Sequence, residues 1–218
     1  MTETIPAPPP TTVTIAKGLF VLAILYGGMT TLAGVLGSKQ VALGPLAVEA
    51  GIFPFLLLVA LSSAVAELYG RPTADRLVRF GFIPLVTAIV LTFIVIKLPT
   101  DEGMYEPAKE AFPIILGQSW RLMAAGIVAY GVSMTLNVYL FSKLSRLGTS
   151  MVAVRAAIAS MLSQIVDTLI FITVAFYGVR PIAELIAGQA LAKVVLSIVL
   201  VPLLIMLLVG IGRRLDRA

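Results

Sequence analysis

Residues 154–176 read VRAAIASMLSQIVDTLIFITVAF, and the spacing of polar side chains in this run decides what kind of molecule the chain builds. Taken as a helix, it carries one polar stripe. Ser160, Ser163, Gln164, Asp167 and Phe171 follow the i, i+3, i+4, i+7, i+11 pattern and share a face, while Ile158, Leu162, Ile165, Leu169 and Ile172 cover the others. The run is otherwise apolar and reaches the ~20 residues that cross a bilayer. Asp167 follows Arg155 by about a dozen residues, which at ~1.5 Å each places it near mid-depth. An ionisable group there costs at least ~2.5 kcal/mol by insertion scales, so the stripe is expected to face protein or a water-filled cavity.

Composition extends this reading to the whole chain. Of 218 residues, 59% are hydrophobic and 12% charged, and the mean hydropathy of +1.04 lies far above the soluble range. The net charge of +5 would suggest nucleic acid in a soluble protein. Here the basic residues sit at segment ends, where they set topology, and no basic cluster interleaves with aromatics, so nucleic acid is not an expected partner. The chain has no Cys and no His. That excludes disulfides and thiolate chemistry, and it removes the commonest metal ligand and the usual general base near neutral pH. No metal, no cofactor and no enzymatic activity are expected.

Working outward, six spans can be drawn: Ile15 to Leu36, Ile52 to Leu68, Phe82 to Leu98, Leu122 to Phe141, Val154 to Tyr177 and Ala183 to Ile211. The expected fold is an all-α integral membrane protein of six transmembrane helices. Residues 1–14, polar and proline-rich, read as a disordered tail, residues 15–212 as one six-helix transmembrane domain, and residues 213–218 as a basic tail. An even span count puts both termini on one side. That side carries ten of the sixteen Lys and Arg residues, while Asp101, Glu102, Glu106 and Glu110 gather on the other. The positive-inside rule then predicts cytoplasmic termini and an external loop from Pro99 to Trp120.

Several other positions stand out. Gly27, Gly28, Thr30, Thr31, Gly34 and Gly37 make the first span rich in small residues, suited to close helix packing or to docking a partner. Ser63 and Glu67 share a face at the inner end of the second span. Glu67 either pairs with Arg71 at the interface or lines a cavity or gate, and Arg71, Arg76 and Arg79 are read as loop anchors. The third span is almost uniformly apolar and should meet lipid. In the fourth, Tyr130, Ser133, Asn137 and Phe141 form a second stripe, with Asn137 able to read a ligand edge or bond another helix. Lys193 lies near mid-depth in the last span. Since a short turn should make the fifth and sixth spans antiparallel neighbours, Asp167 and Lys193 are expected to meet as a neutralised pair. Pro202 is expected to kink the last helix.

These residues resemble the queuosine-precursor transporters, also called the vitamin uptake transporter (VUT) family. The resemblance runs from about Ser38 to Pro202 and rests on SKQV, AGIFPF, AELYG followed by a basic stretch and GF, AYGVS with NVYLF, and above all VRAAIASMLSQIVDTLIFITVAFYG. It implies a multi-pass importer of the cell inner membrane for 7-deazaguanine bases, from which queuosine is made for transfer RNA. Asp167 or Glu67 would accept the adjacent N–H donors of the base, Gln164 or Asn137 would satisfy its carbonyl, and Tyr130, Phe141 or Phe171 would stack on it. Ser160, Ser163 and Lys193 complete the expected substrate-binding set. The chain departs from the family pattern at Ser63 and Asn137, where members carry acidic residues.

Other functions compete with this one. A substrate-binding subunit of an energy-coupling-factor vitamin importer is also small and six-helical. A membrane scaffold or assembly protein would tolerate apolar replacement of Asp167, Gln164 and Lys193. An intramembrane enzyme has nominal groups in Ser163 and Lys193 but no nucleophile motif. No G-x-x-x-x-G-K-[ST] motif occurs, so the chain itself is not expected to hydrolyse ATP. The lipid bilayer and a small-molecule substrate are the expected partners, with a homo-oligomer left open.

Overall fold

The computed structural model describes residues 15–43, 46–117, 120–147, 151–178 and 182–217. The expected N-terminal tail lies outside them, as does Pro181 of the external turn expected at Gly178 and Pro181. Among the described residues there are eight α-helices: α1 (Lys17–Leu36), α2 (Ile52–Tyr69), α3 (Arg71–Phe80), α4 (Phe82–Lys97), α5 (Glu106–Leu116), α6 (Trp120–Lys143), α7 (Val152–Phe176) and α8 (Ile182–Arg217). With α3 and α4 counted as one span, six are long and apolar enough to cross a membrane.

Burial follows from which face of each helix is apolar on all sides. Helix α2 is the central post, with Leu56, Leu58, Val59, Leu61 and Val65 at 1% exposure or less. Helices α6, α7 and α8 pack around it, each burying one face and turning Val132, Leu162, Leu169, Leu203 or Met206 outward, as a bilayer allows. Helix α4 buries no residue at all, in keeping with the lipid contact expected of the third span.

The structure corrects the sequence reading in four places. The stretch carrying Arg71, Arg76 and Arg79 is not a loop but helix α3, amphipathic, with Ala74 and Val78 buried. It starts at Gly70, whose φ of 82° is a conformation that glycine adopts at little cost. Gly81 then separates α3 from α4 at a point where a Cβ would collide with the side chains of Tyr130 and Tyr26. The connection from α1 to α2 is a β-hairpin, β1 (Gln40–Leu43) antiparallel to β2 (Leu46–Glu49) with Gln40 opposite Glu49. The loop after Lys97 contains helix α5, and α8 runs on to Arg217 through the residues expected as a tail.

Both described ends of the chain meet at one end of the bundle. Asp216 accepts from the Gly18 backbone N–H (2.7 Å) and from the Tyr69 hydroxyl (2.7 Å), tying α8 to the N-terminus of α1 and the C-terminus of α2. A carboxylate there also meets the positive end of the α1 dipole. A Cβ on Gly18 would run into the Tyr69 hydroxyl and Asp216. Gly18→Ala is therefore expected to cost about 1–3 kcal/mol through overpacking, measured as a lower melting temperature of the detergent-solubilised protein. An unchanged melting temperature would mean that this junction does not hold the ends together.

Candidate functional site

A cavity of about 190 Å³ lies in the hairpin half of the bundle. Its walls come from α1, the end of β2, the start of α2, and α4, α6, α7 and α8, with Ile52, Phe55, Leu58, Leu85, Ile89 and Phe171 supplying apolar surface. Its polar groups are Thr30, Glu49, Tyr130, Asp167, Gln189 and Lys193. An apolar pocket with a few convergent polar groups is the usual form of a small-molecule site.

Asp167 and Lys193 meet as the sequence predicts, with Lys193 Nζ 2.8 Å from Asp167 Oδ2 and side-chain exposures of 14% and 7%. Helices α7 and α8 are joined by a short connection and pack along their lengths, which brings the two mid-depth groups to one level. Ser133 on α6 donates to the other oxygen, Oδ1, at 3.1 Å. The carboxylate is thus held from two sides while retaining lone pairs for a ligand. Tyr130 forms part of the cavity lining, its hydroxyl bonded to Tyr26 (2.9 Å) and to the Val78 carbonyl (3.1 Å). Its ring stands edge-on to Phe82 at 4.9 Å, so polar and aromatic contacts both fix its position.

Two cavity residues were not anticipated. Glu49 ends β2, and its carboxyl hydrogen-bonds the Gln189 side chain, with Lys193 and Asp167 close enough to act on it electrostatically. Glu49 stands directly before the AGIFPF motif, and Gln189 lies one helical turn before Lys193. The second spacing was a readable signal. Burial pushes the Glu49 carboxyl above the ordinary carboxylate value, with Asp167 adding to that and Lys193 and Gln189 opposing it. The folded protein therefore holds the Glu49 proton more tightly than the unfolded chain. Stability from this group is present below the ordinary pKa of about 4.3 and is lost as pH rises through the raised value. Glu49→Gln should abolish that slope, so its melting temperature should gain on wild type as pH rises. Parallel melting curves across the pH range would contradict the assignment.

The remaining expected site residues lie deeper, away from the cavity lining. On α7 the stripe is split: Asp167 and Phe171 reach the cavity, while Ser160, Ser163 and Gln164 are sealed at 0–1% exposure. Asn137, also 0% exposed, points its amide at the Val59 carbonyl (3.3 Å), Ser62 Oγ (3.1 Å) and Ser63 Oγ (3.1 Å). Ser63 and Asn137, the two positions at which the resemblance implies a departure from the family pattern, thus touch each other. Among the described residues, both amide atoms of Gln164, Oδ1 of Asn137 and Oγ of Ser160 have no hydrogen-bond partner, each costing on the order of 1–3 kcal/mol.

Below this layer Glu67 pairs not with Arg71 but with Arg155, at 3.0 Å and with side-chain exposures of 8% and 4%. Arg71 bonds Asp75 instead. Arg155 also donates to the Phe141 carbonyl at 3.3 and 3.4 Å, and its guanidinium lies 4.3 Å over the Phe141 ring. Burial raises the strength of each of these contacts relative to water and makes each costly to leave half-made.

Comparison with known proteins bears on this arrangement. A family model described as "Putative vitamin uptake transporter" matches residues 49–207. The "Probable queuosine precursor transporter" of Bacillus subtilis (strain 168) is 29% identical over 167 residues, which cover 75% of this chain and 70% of that protein. No solved structure matches. The family match begins at Glu49 and takes in every polar cavity residue except Thr30.

Proposed function

We propose, from the premise that this chain belongs to the vitamin uptake transporter family, a family of membrane transporters, that it imports a queuosine precursor, a free 7-deazaguanine base, through the cavity around Asp167. The observation that carries this reading is the Asp167–Lys193 pair facing a largely apolar cavity with Glu49 and Gln189 beside it. A deazaguanine presents adjacent N–H donors on one edge and a carbonyl next to them. The Asp167 carboxylate accepts the first in parallel, and the Lys193 ammonium donates to the second. Phe55, Phe171 and Leu85 bracket the flat ring. An analogue lacking one of these groups leaves a buried partner unpaired and is rejected for that reason.

In this reading the hairpin faces outward and the termini lie in the cytoplasm, as the distribution of basic residues favours, with the protein in the cell inner membrane. The test is uptake of a labelled deazaguanine by cells that cannot make their own and express this chain alone. Uptake and appearance of queuosine in transfer RNA support solitary transport of this solute. Uptake that appears only after ATPase partners are co-expressed would favour an energy-coupling-factor subunit, and no uptake of any deazaguanine in either case would overturn the substrate.

A further inference from the structure

Beneath the cavity, three helices repeat one arrangement. On α2, Ser63 stands one turn from Glu67. On α6, Asn137 stands one turn from Phe141. On α7, Ser160 and Gln164 stand above Arg155. The first member of each set belongs to the sealed polar layer and the second to the Glu67–Arg155–Phe141 cluster, which closes the bundle on the side of the termini. From Arg155 to Asp167 the climb along α7 is about 18 Å at ~1.5 Å per residue. The path from cavity to termini is therefore occupied first by polar groups with unmet hydrogen bonds and then by a buried ion pair.

Hydrogen bonding within this conformation does not account for the layer. Gln164 is 0% exposed, and neither its amide N–H₂ nor its carbonyl finds a partner among the described residues. Buried polar groups in folded proteins are nearly always paired, so groups left over call for an occupant or another conformation. Their chemistry, an amide edge beside hydroxyls, is the same donor-and-acceptor chemistry that a flat heteroaromatic base requires. The ion pair below is suited to opening. A buried salt bridge gains little net free energy because desolvation offsets the attraction, so it fixes one arrangement without locking it.

We propose that Gln164, Asn137 and Ser160 form a second, inner position for the solute, shut off in this structure, and that Glu67–Arg155 is the latch whose release opens that position toward the termini. This rests on the transport reading given above and adds to it where the solute goes after the cavity and what holds the way closed. Opening the latch separates α2 from α7 at that end, and the same tilt narrows the cavity at the other.

The absence of cysteine in the chain makes the test direct. Ser160→Cys is reacted with a membrane-impermeant maleimide in lipid nanodiscs, alone and combined with Glu67→Gln, with Arg155→Gln, and with the exchange Glu67→Arg/Arg155→Glu. Either neutralising variant should speed labelling at least tenfold, and the exchange should restore the slow rate, showing that the fold survives with its latch remade. Ala33→Cys, in the cavity wall, should label more slowly in the same neutralised variants. Labelling of Ser160→Cys that is indifferent to all three latch variants would overturn the proposal, as would faster labelling at both positions together, which is the signature of a loosened fold. Added deazaguanine should slow the labelling of Ser160→Cys in the neutralised variants, because it occupies the inner position; unprotected labelling there, with protection retained at Ala33→Cys in the cavity wall, would overturn the inner position while leaving the cavity's substrate standing.

Discussion

Lys193→Ala alone is expected to be more damaging to folding than Lys193→Ala combined with Asp167→Asn. Removing the ammonium strands a carboxylate that is 7% exposed and keeps only the Ser133 hydroxyl as a fixed donor. Loss of one partner from a buried pair costs about 3 kcal/mol at the lower end of the usual range, and that lower end applies because the pair borders a cavity. The double variant removes the stranded charge and should recover most of the loss, a coupling of about 2 kcal/mol between groups in direct contact. Yield and melting temperature of the solubilised protein measure it. Losses that simply add would show that the two side chains do not depend on one another.

Asp167→Asn should reduce uptake by about two orders of magnitude, the effect of losing roughly 2.7 kcal/mol of binding at 1.4 kcal/mol per tenfold, while the protein still inserts and folds. Asparagine keeps an acceptor for Ser133 but replaces the second oxygen with a donor that faces Lys193 and the base edge alike. Wild-type uptake in this variant would remove Asp167 from the mechanism.

What was legible in the sequence was whatever period and depth can encode. The α7 stripe announced its buried face because 3.6-residue spacing is preserved in the fold, and the Asp167–Lys193 contact followed from two mid-depth ions on helices joined by a short turn. Contacts between distant segments were not encoded in this way. Arg71 stood four residues from Glu67, yet the partner of Glu67 is Arg155, since Gly70 turns the chain away and α7 supplies a cation from 88 positions further on. Glu49 was overlooked because it lies outside every apolar run, in a hairpin whose four-residue strands are too short for alternation to be read. The stripe itself concealed a division. Residues on one face share a direction but not a depth, and depth decides that Asp167 and Phe171 line the cavity while Gln164 and Ser160 are sealed beneath it.

That division also bears on Ser63 and Asn137, where the resemblance implies acidic residues in the family. Two carboxylates in contact would repel in a dry layer, whereas Ser63 and Asn137 make a neutral donor–acceptor pair at 3.1 Å. The layer thus carries no charge at these two positions and still connects α2 to α6 by hydrogen bonds.

The central claim, that the Asp167 cavity takes a 7-deazaguanine, is tested most directly by calorimetric titration of queuine and its two free-base precursors into the purified protein and its Asp167→Asn variant. The account predicts saturable binding of at least one base to wild type, a matching rise in melting temperature since a ligand of the native state must stabilise it, and loss of both in the variant. A folded wild-type protein that binds none of the three, or an Asp167→Asn protein that binds as tightly as wild type, would contradict it.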